Sequence, residues 1–413
     1  MANALITPSL IAKEALMQLE NNLVMASQVH REYRKEFTGG VGDTVSIRKP
    51  VKFYTADGAS RVNQDVEEKS TSITIDQRKH VSWEFATQDL TLSVEEYSER
   101  YIKPAMITLA NTVDSSLYGL YSKVWNSVGT PGTTPADFAA VASAAQRLDE
   151  MAVGSDMRSM MLTPAARYAV AGNQLTLDSV GTKGTSAYEK ARLGEIAMFS
   201  TFSSQNVQNH TVGIKTGTPL VNGANQNVTY ANATGANTQM LVTDGWTNSV
   251  TGIVKAGDII TIAGVYAVNP VPGEGTTGKT VMRYLQQFTV IADANSGAST
   301  GPATLTISPA IITSGPFQTV SAAPADNAAI TVLGTASTAY PQNLGFHKNA
   351  FALVTVPLEM PDGAAFKARE SHNGLSVRVV KDYDIAEDVD IIRLDILYGV
   401  KAIYPDLAVR LWG

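Results

Sequence analysis

Apolar residues recur along the first half of the chain at helical spacing. Thr7-Pro8 reads as an N-cap followed by Pro at N1, and Leu10, Ile11, Leu16, Leu19 and Leu23 follow near a 3.6-residue period. Ser93-Val94-Glu95-Glu96 reads as a capping box. Stepping by four from there gives Tyr97, Tyr101, Ala105, Leu109, Val113, Leu117 and Tyr121. A stripe in phase for that distance predicts one helix of about 30 residues, roughly 45 Å long, kinked near Pro104. Thr134-Pro135 predicts the start of a third helix, alanine-rich through Met151 and stopping near Gly154.

Between the first two helices the period changes to two. Val45 and Ile47 alternate with polar neighbours, then Ile73 and Ile75, then Val81, Trp83 and Phe85. The polar stretch Ala56 to Ser72 carries Asp57, Arg61, Asp65, Glu67, Glu68 and Lys69. The pattern predicts a long two-stranded hairpin with a charged tip, an element that is marginal alone and needs a partner surface. Near the end of the chain Leu375, Val377 and Val379 alternate. Ile392, Leu394, Ile396, Tyr398, Val400 and Ala402 then line one face of a strand whose other face carries Arg393, Asp395 and Lys401. That strand is predicted to be half-buried.

Charge density divides the chain. Between Ser203 and Tyr340 nine of 138 residues are charged, against 61 of the other 275. The fall from about 22% to about 7% has sharp borders, and the low-charge stretch is rich in Gly, Thr, Ser, Asn and Ala. Short strand-like runs punctuate it at Gln239–Val242, Asp258–Val268, Gln287–Ala292, Ala303–Ser308 and Ala329–Leu333. Their spacing predicts a small β-barrel or sandwich inserted into another domain.

Bulk composition narrows the function classes. The 413 residues include 32 Lys+Arg and 38 Asp+Glu, a formal charge of -6, which argues against a free-standing nucleic-acid binder. The absence of Cys removes disulfides, thiolate metal sites and cysteine nucleophiles. Lys13, Glu14 and Glu20 interrupt the first 20 residues, so no secretory leader is expected, and no window reaches the ~18 apolar residues of a membrane span. The expected protein is soluble and stays where it is made.

The sharpest chemical motif is Gly273-Glu274-Gly275-Thr276-Thr277-Gly278-Lys279-Thr280, which satisfies the phosphate-loop pattern. Its context fails. Asn269-Pro270-Val271-Pro272 leads in where a central strand is required, and the exit at Val281 to Ile291 reads as a strand, not a helix. A Gly/Thr hairpin turn is the expectation. His30, His80, His210, His347 and His372 show no metal-ligand spacing. The acidic run Asp382, Asp384, Glu387, Asp388 and Asp390 lacks the glycine-centred loop of a calcium site. No catalytic, cofactor-binding or metal-binding residues are expected, and no enzyme.

The order of elements, an N-terminal arm, a projecting hairpin, a long spine helix, an α+β body and a terminal strand, resembles the major capsid proteins of tailed double-stranded DNA bacteriophages. The low-charge insertion is similar to that of the short-tailed enterobacterial branch, whose members carry an inserted β-barrel. Local stretches resemble that branch too: Leu109-Ala110-Asn111-Thr112-Val113-Asp114, Ser204-Gln205-Asn206-Val207-Gln208-Asn209-His210-Thr211, Ala256-Gly257-Asp258-Ile259-Ile260-Thr261-Ile262-Ala263-Gly264-Val265 and Tyr398-Gly399-Val400-Lys401-Ala402.

The resemblance implies an α+β tailed-phage major capsid fold. Its parts would be an N-terminal arm at 1–43, an extended β-hairpin loop at 44–90, and a spine helix with a peripheral domain at 91–194. An axial domain would take 195–202 and 341–413, interrupted by the β-barrel at 203–340. It implies hexamers and pentamers of this chain in an icosahedral shell, virion localisation, and assembly in the bacterial host cytoplasm. A scaffolding protein, a portal protein and packaged double-stranded DNA (by non-specific proximity) are implied partners, with a decoration protein as a further candidate and no membrane. Arg61, Asp65, Glu67, Glu68, Lys69, Trp83 and Phe85 are the expected inter-subunit contacts. The rival reading, a secreted β-rich adhesin or carbohydrate-binding protein, accounts for the Thr/Asn-rich insertion but not for the long helix.

Overall fold

The computed structural model describes residues 8–33, 44–49, 51–53, 58–63, 69–86, 98–177, 193–229, 237–271, 279–364, 366–384 and 389–413. Its helices are α1 (Pro8–Asn22), α2 (Lys103–Tyr118), α3 (Phe138–Glu150) and α4 (Pro164–Leu177). The strands begin with β1 (Thr44–Lys49), β2 (Lys69–Thr74), β3 (Gln77–Ala86), β4 (Ser127–Val128), β5 (Arg158–Leu162), β6 (Glu195–Ile196), β7 (Phe199–Ser203) and β8 (Asn209–Thr211). They continue with β9 (Gly217–Val221), β10 (Gln239–Trp246), β11 (Ile259–Val268), β12 (Val281–Val290), β13 (Ala303–Ser308) and β14 (Ile330–Val332). The last are β15 (Ala339–His347), β16 (Phe351–Thr355), β17 (Phe366–His372), β18 (Leu375–Asp384), β19 (Val389–Ala402) and β20 (Ala408–Trp412). The chain divides into two units, one of Met1–Ser46, Ser72–Tyr118 and Phe351–Ile403, the other of Ile47–Thr71, Gly119–Ala350 and Tyr404–Gly413.

In the first unit β16, β19, β18 and β17 form a sheet, with β3 on the other edge of β19. Alternation places Val377, Val379, Leu394, Ile396 and Tyr398 on its buried face. The stripe Ala12, Ala15, Leu16, Leu19 and Leu23 of α1 and the stripe Ala105, Leu109, Val113 and Leu117 of α2 are buried too, with α1 packed on β17, β18 and α2. Each fully buried Leu or Val contributes about 1.5–3 kcal/mol of transfer free energy. Asp114 on α2 is buried and accepts from Val24 N at 2.8 Å and Ala26 N at 3.0 Å. Burial raises its carboxyl above the usual range despite those bonds.

Three expectations change here. β3 is not an arm of the expected hairpin: it pairs antiparallel with β19 from Gln77↔Tyr398 to Ala86↔Val389, while β1 and β2, on either side of the polar stretch, form a two-stranded sheet among the described residues. Pairing with β19 satisfies the backbone groups along one edge of β3, which a solvated arm would leave to water. The spine runs as α2 between a π-helical turn at Ser98–Ile102 and a 3₁₀ turn at Gly119–Lys123, and its expected capping box lies outside the described residues. The helical register changes just ahead of Pro104, whose ring has no N–H to offer the preceding turn. Third, the outer face of β19 is not wholly solvated. Asp395 is buried there and is held by Arg378 Nε at 3.2 Å and Arg393 Nε at 2.8 Å, with Arg78 3.7 Å away.

In the second unit the sheet order β4-β20-β15-β5-β7-β6, with β8 on β15, is covered by α3 and α4 through Val141, Leu148, Ala166 and Val170. The third helix starts at Phe138, not near Thr134, because the Asp137 carboxylate accepts the Ala140 amide at 2.8 Å and so supplies the N-cap. Strands β14-β11-β12-β13-β10-β9 form an antiparallel sheet whose ends meet. Leu220 bridges Ala329, and Val221 N donates to Ala328 O at 2.9 Å, so the edges are paired and the sheet closes as a barrel. Leu241, Ile260, Ile262, Phe288, Val290, Leu305 and Ile307 fill its interior, alternating with outward positions such as Met240 and Val242. The barrel strands run from Gly217 to Val332, joined to the neighbouring sheet by a neck in which His210 of β8 faces Tyr340 of β15.

Candidate functional site

Of the seven residues expected at subunit contacts, the four that are described fall in different parts of the fold. Arg61 is exposed on the 58–63 segment, and Asp65, Glu67 and Glu68 lie outside the described residues. Lys69 opens β2 in the second unit, whereas Trp83 and Phe85 stand on β3 in the first, opposite Ile392 and Asp390. Trp83 is half-buried, and its indole N–H has no hydrogen-bond partner among the described residues.

The phosphate-loop motif does not lead into a helix. Gly273 to Gly278 lie outside the described residues, but the exit is β12, paired antiparallel with β11 through Val281↔Val268. Lys279 turns inward: its ammonium donates to the Gln318 carbonyl at 3.0 Å, and its amide donates to Gln318 Oε1 at 3.3 Å. Burial, reinforced by the like charge of Lys52, lowers its pKa to about 8. The side chain is a strut between two barrel segments.

The most elaborate polar cluster lies at the barrel neck. His210 is buried and places Nε2 2.7 Å from Asp258 Oδ1 and Nδ1 3.1 Å from the Tyr121 hydroxyl. The second Asp258 oxygen accepts from Lys255 N at 2.8 Å and Gly213 N at 3.1 Å. The tight turn before β11 positions that carboxylate, and it needs Gly257. With φ at +102°, a Cβ there would also stand 3.1 Å from His210 Cε1.

Arg410, in the middle of the wholly buried strand β20, completes the cluster. Its guanidinium donates to Val124 O at 2.9 Å, Gly257 O at 2.8 Å and Gln342 Oε1 at 3.3 Å, and lies 5.6 Å from the Tyr121 ring centroid. Burial lowers its pKa to about 10, opposed by Tyr121 and Asp258, so it remains a cation at neutral pH. The Tyr121 hydroxyl is pushed up, chiefly by burial, and stays a neutral phenol. Tyr121, His210 and Asp258 stand in line, with the Tyr121 hydroxyl 3.1 Å from His210 Nδ1, and burial disfavours ionisation of that outermost phenol. Chemically the cluster is a clamp. It joins the neck, the turn before β11, the 3₁₀ turn at Gly119–Lys123 and the terminal strand through hydrogen bonds among buried polar groups, each costly to leave unsatisfied.

Neighbouring contacts extend the clamp. Thr289 Oγ1 donates to Ser122 O at 2.9 Å, and the Gln287 amide exchanges two bonds with the Ser127 backbone at 2.7 and 3.0 Å. Sequence reasoning missed this site, although a signal existed. In a stretch holding nine charges, Asp258, Lys215 and Lys279 are all tied to backbone groups. Among the described residues no group of three His, Cys, Asp or Glu could hold a metal ion.

The chain is similar in sequence to known proteins. The family described as P22 coat protein - gene protein 5 matches the chain over residues 1–413. A major capsid protein of Acyrthosiphon pisum secondary endosymbiont phage 1 is 22% identical over 416 residues, covering 98% of this chain and 97% of that protein. Among solved structures, one from Mycobacterium phage Che8 has a TM-score of 0.48 and 14% identity, over 94% of this chain and 90% of that one. The capsid structure of cyanophage P-SCSP1u has a TM-score of 0.42 and 13% identity, over 91% and 84% respectively.

Proposed function

Since the chain belongs to the P22 coat protein family and is a structural major capsid protein, we propose that its copies form the hexamers and pentamers of an icosahedral shell enclosing double-stranded DNA. The observation that carries this reading is the family match along the whole chain, from residue 1 to 413. In this reading the shell is built in the host cytoplasm on a scaffolding protein, incorporates a portal and accepts a decoration protein. The charge of -6 supports a lumen that does not hold the genome tightly, because every neutralised phosphate would oppose packing and ejection. The division into an arm at 1–43, an extended loop at 44–90, a spine and peripheral domain at 91–194, an axial domain at 195–202 and 341–413, and an insertion at 203–340 belongs to the same proposal.

The polar segment around Arg61, with Asp65, Glu67, Glu68 and Lys69, is assigned to subunit contacts, as are Trp83 and Phe85. Rim charge pairs contribute only about 0–1 kcal/mol each, so single reversals are mild. Repetition over a shell compounds small losses. Deleting Gly58–Glu68 is expected to leave a soluble chain with native-like circular dichroism that forms no closed shells by electron microscopy. Normal shells from the deletion would remove the segment from the contact. Monodisperse monomers from the wild type would count against self-assembly itself.

A further inference from the structure

The chain contains two Asn-Gly pairs, Asn222-Gly223 and Asn373-Gly374, and the fold treats them differently. An asparagine before glycine is open to cyclisation, because the glycine nitrogen reaches the carboxamide carbon in a five-membered ring and no Cβ obstructs it. Asn373-Gly374 forms the two-residue turn between β17 and β18, with φ +46° and +77°. There the Asn373 carboxamide donates to Glu20 Oε1 at 2.5 Å, and a Cβ on Gly374 would stand 3.2 Å from Arg31 Cβ. The fold holds both reacting groups.

Asn222-Gly223 has neither restraint. Asn222 is exposed just past the end of β9, and no hydrogen bond holds its carboxamide among the described residues. A Cβ on Gly223 would meet nothing nearer than Gln226 Nε2 at 4.0 Å, so the space beside the amide is open. The Gly223 amide itself donates to Asp326 Oδ1 at 2.8 Å. That nitrogen becomes a nucleophile only as it loses its proton, and the carboxylate already stands where the proton must go.

We propose that Asn222-Gly223 is a self-modification site, in which Asp326 accepts the Gly223 amide proton while the nitrogen attacks the Asn222 carboxamide. The bond from Gly223 N to Asn222 Cγ forms, the Cγ–Nδ2 bond breaks, and ammonia leaves with the proton passed on from Asp326. Water, the one co-reactant, then opens the succinimide at Cγ to aspartate or at the backbone carbonyl to isoaspartate. The site lies on the barrel seam, where Val221 N donates to Ala328 O and Asn327 N donates to Val221 O, both at 2.9 Å. Cyclisation removes the Gly223 N–H from that seam, and isoaspartate adds a methylene to its backbone, so conversion loosens the closure of the barrel. Nothing in this chemistry depends on shell assembly.

The full-length chain, incubated folded at neutral pH and physiological temperature and then digested for peptide mass spectrometry, reports both pairs in one sample. The Asn222 peptide is expected to gain the deamidation mass at least about tenfold faster than the Asn373 peptide, and the two should convert at similar rates in urea-unfolded chain. Asp326→Asn should slow conversion of folded Asn222 by about tenfold. The comparison within wild type holds even if that variant fails to fold. Fully converted protein should unfold about 2–4 °C lower than fresh protein. Equal rates in the folded chain, a difference that persists in urea, or a folded Asp326→Asn variant that converts as fast as wild type would each overturn the proposal. An unchanged Tm after full conversion would overturn the loosening of the seam.

Discussion

Lys279→Met separates a buried structural amine from a phosphate-binding one. Lys279 is 7% exposed, and its ammonium is satisfied by one backbone carbonyl. Its pKa falls from about 10.4 in an unfolded chain to about 8 when folded. At 1.36 kcal/mol for each factor of ten in proton affinity, holding that charge inside costs roughly 3 kcal/mol at pH 7. Methionine keeps the length and removes the charge, but forfeits a hydrogen bond of about 1 kcal/mol. The variant is therefore expected to be about 1–2 kcal/mol more stable than wild type at pH 7. With the folded pKa below the unfolded one, the unfolded chain binds more protons between about pH 8 and 10.4, so wild-type stability rises across that window. By pH 9 roughly 1 kcal/mol of the cost is recovered and the gap narrows accordingly. Urea unfolding at both pH values, followed through Trp246 in the barrel core, measures it. A variant less stable at pH 7, a gap indifferent to pH, or loss of measurable ATP binding on substitution would refute the reasoning.

Two further outcomes follow from buried groups. Burial pushes the Asp395 carboxyl up, but Arg378 and Arg393 outweigh it and hold it below the usual range. Its stabilisation is thus present above about pH 3.9 and lost as pH falls through the lower folded value. Asp395→Asn should cost about 2–4 kcal/mol at pH 7 and flatten the acid side of the stability profile; an unchanged profile would refute the assignment. Gly257→Ala forces a side chain into positive φ beside His210, and should cost about 1–3 kcal/mol. Calorimetry showing an unchanged Tm would mean the neck tolerates the crowding.

The sequence by itself determined the elements whose burial pattern is local. The Ala12 to Leu23 stripe, the alternation of β18 and β19, and the barrel strands read from 239 to 333 needed only the 3.6- and 2-residue periods, because each element must turn one face to a core. The strand leaving the phosphate-loop motif was legible for the same reason. Tertiary structure alone decided which strand edge receives β3, since any open edge satisfies its backbone and the sequence does not say which lies within reach. Burial of Asp395 depended on Arg378 and Arg393 reaching across paired strands, whereas alternation assigned it to the wet face. The clamp of His210, Asp258 and Arg410 was visible only as scarce charges, with Arg410 lone in an apolar strand. Its partners lie far apart in the chain, and their meeting depends on how the barrel neck and β20 pack, which no local period encodes.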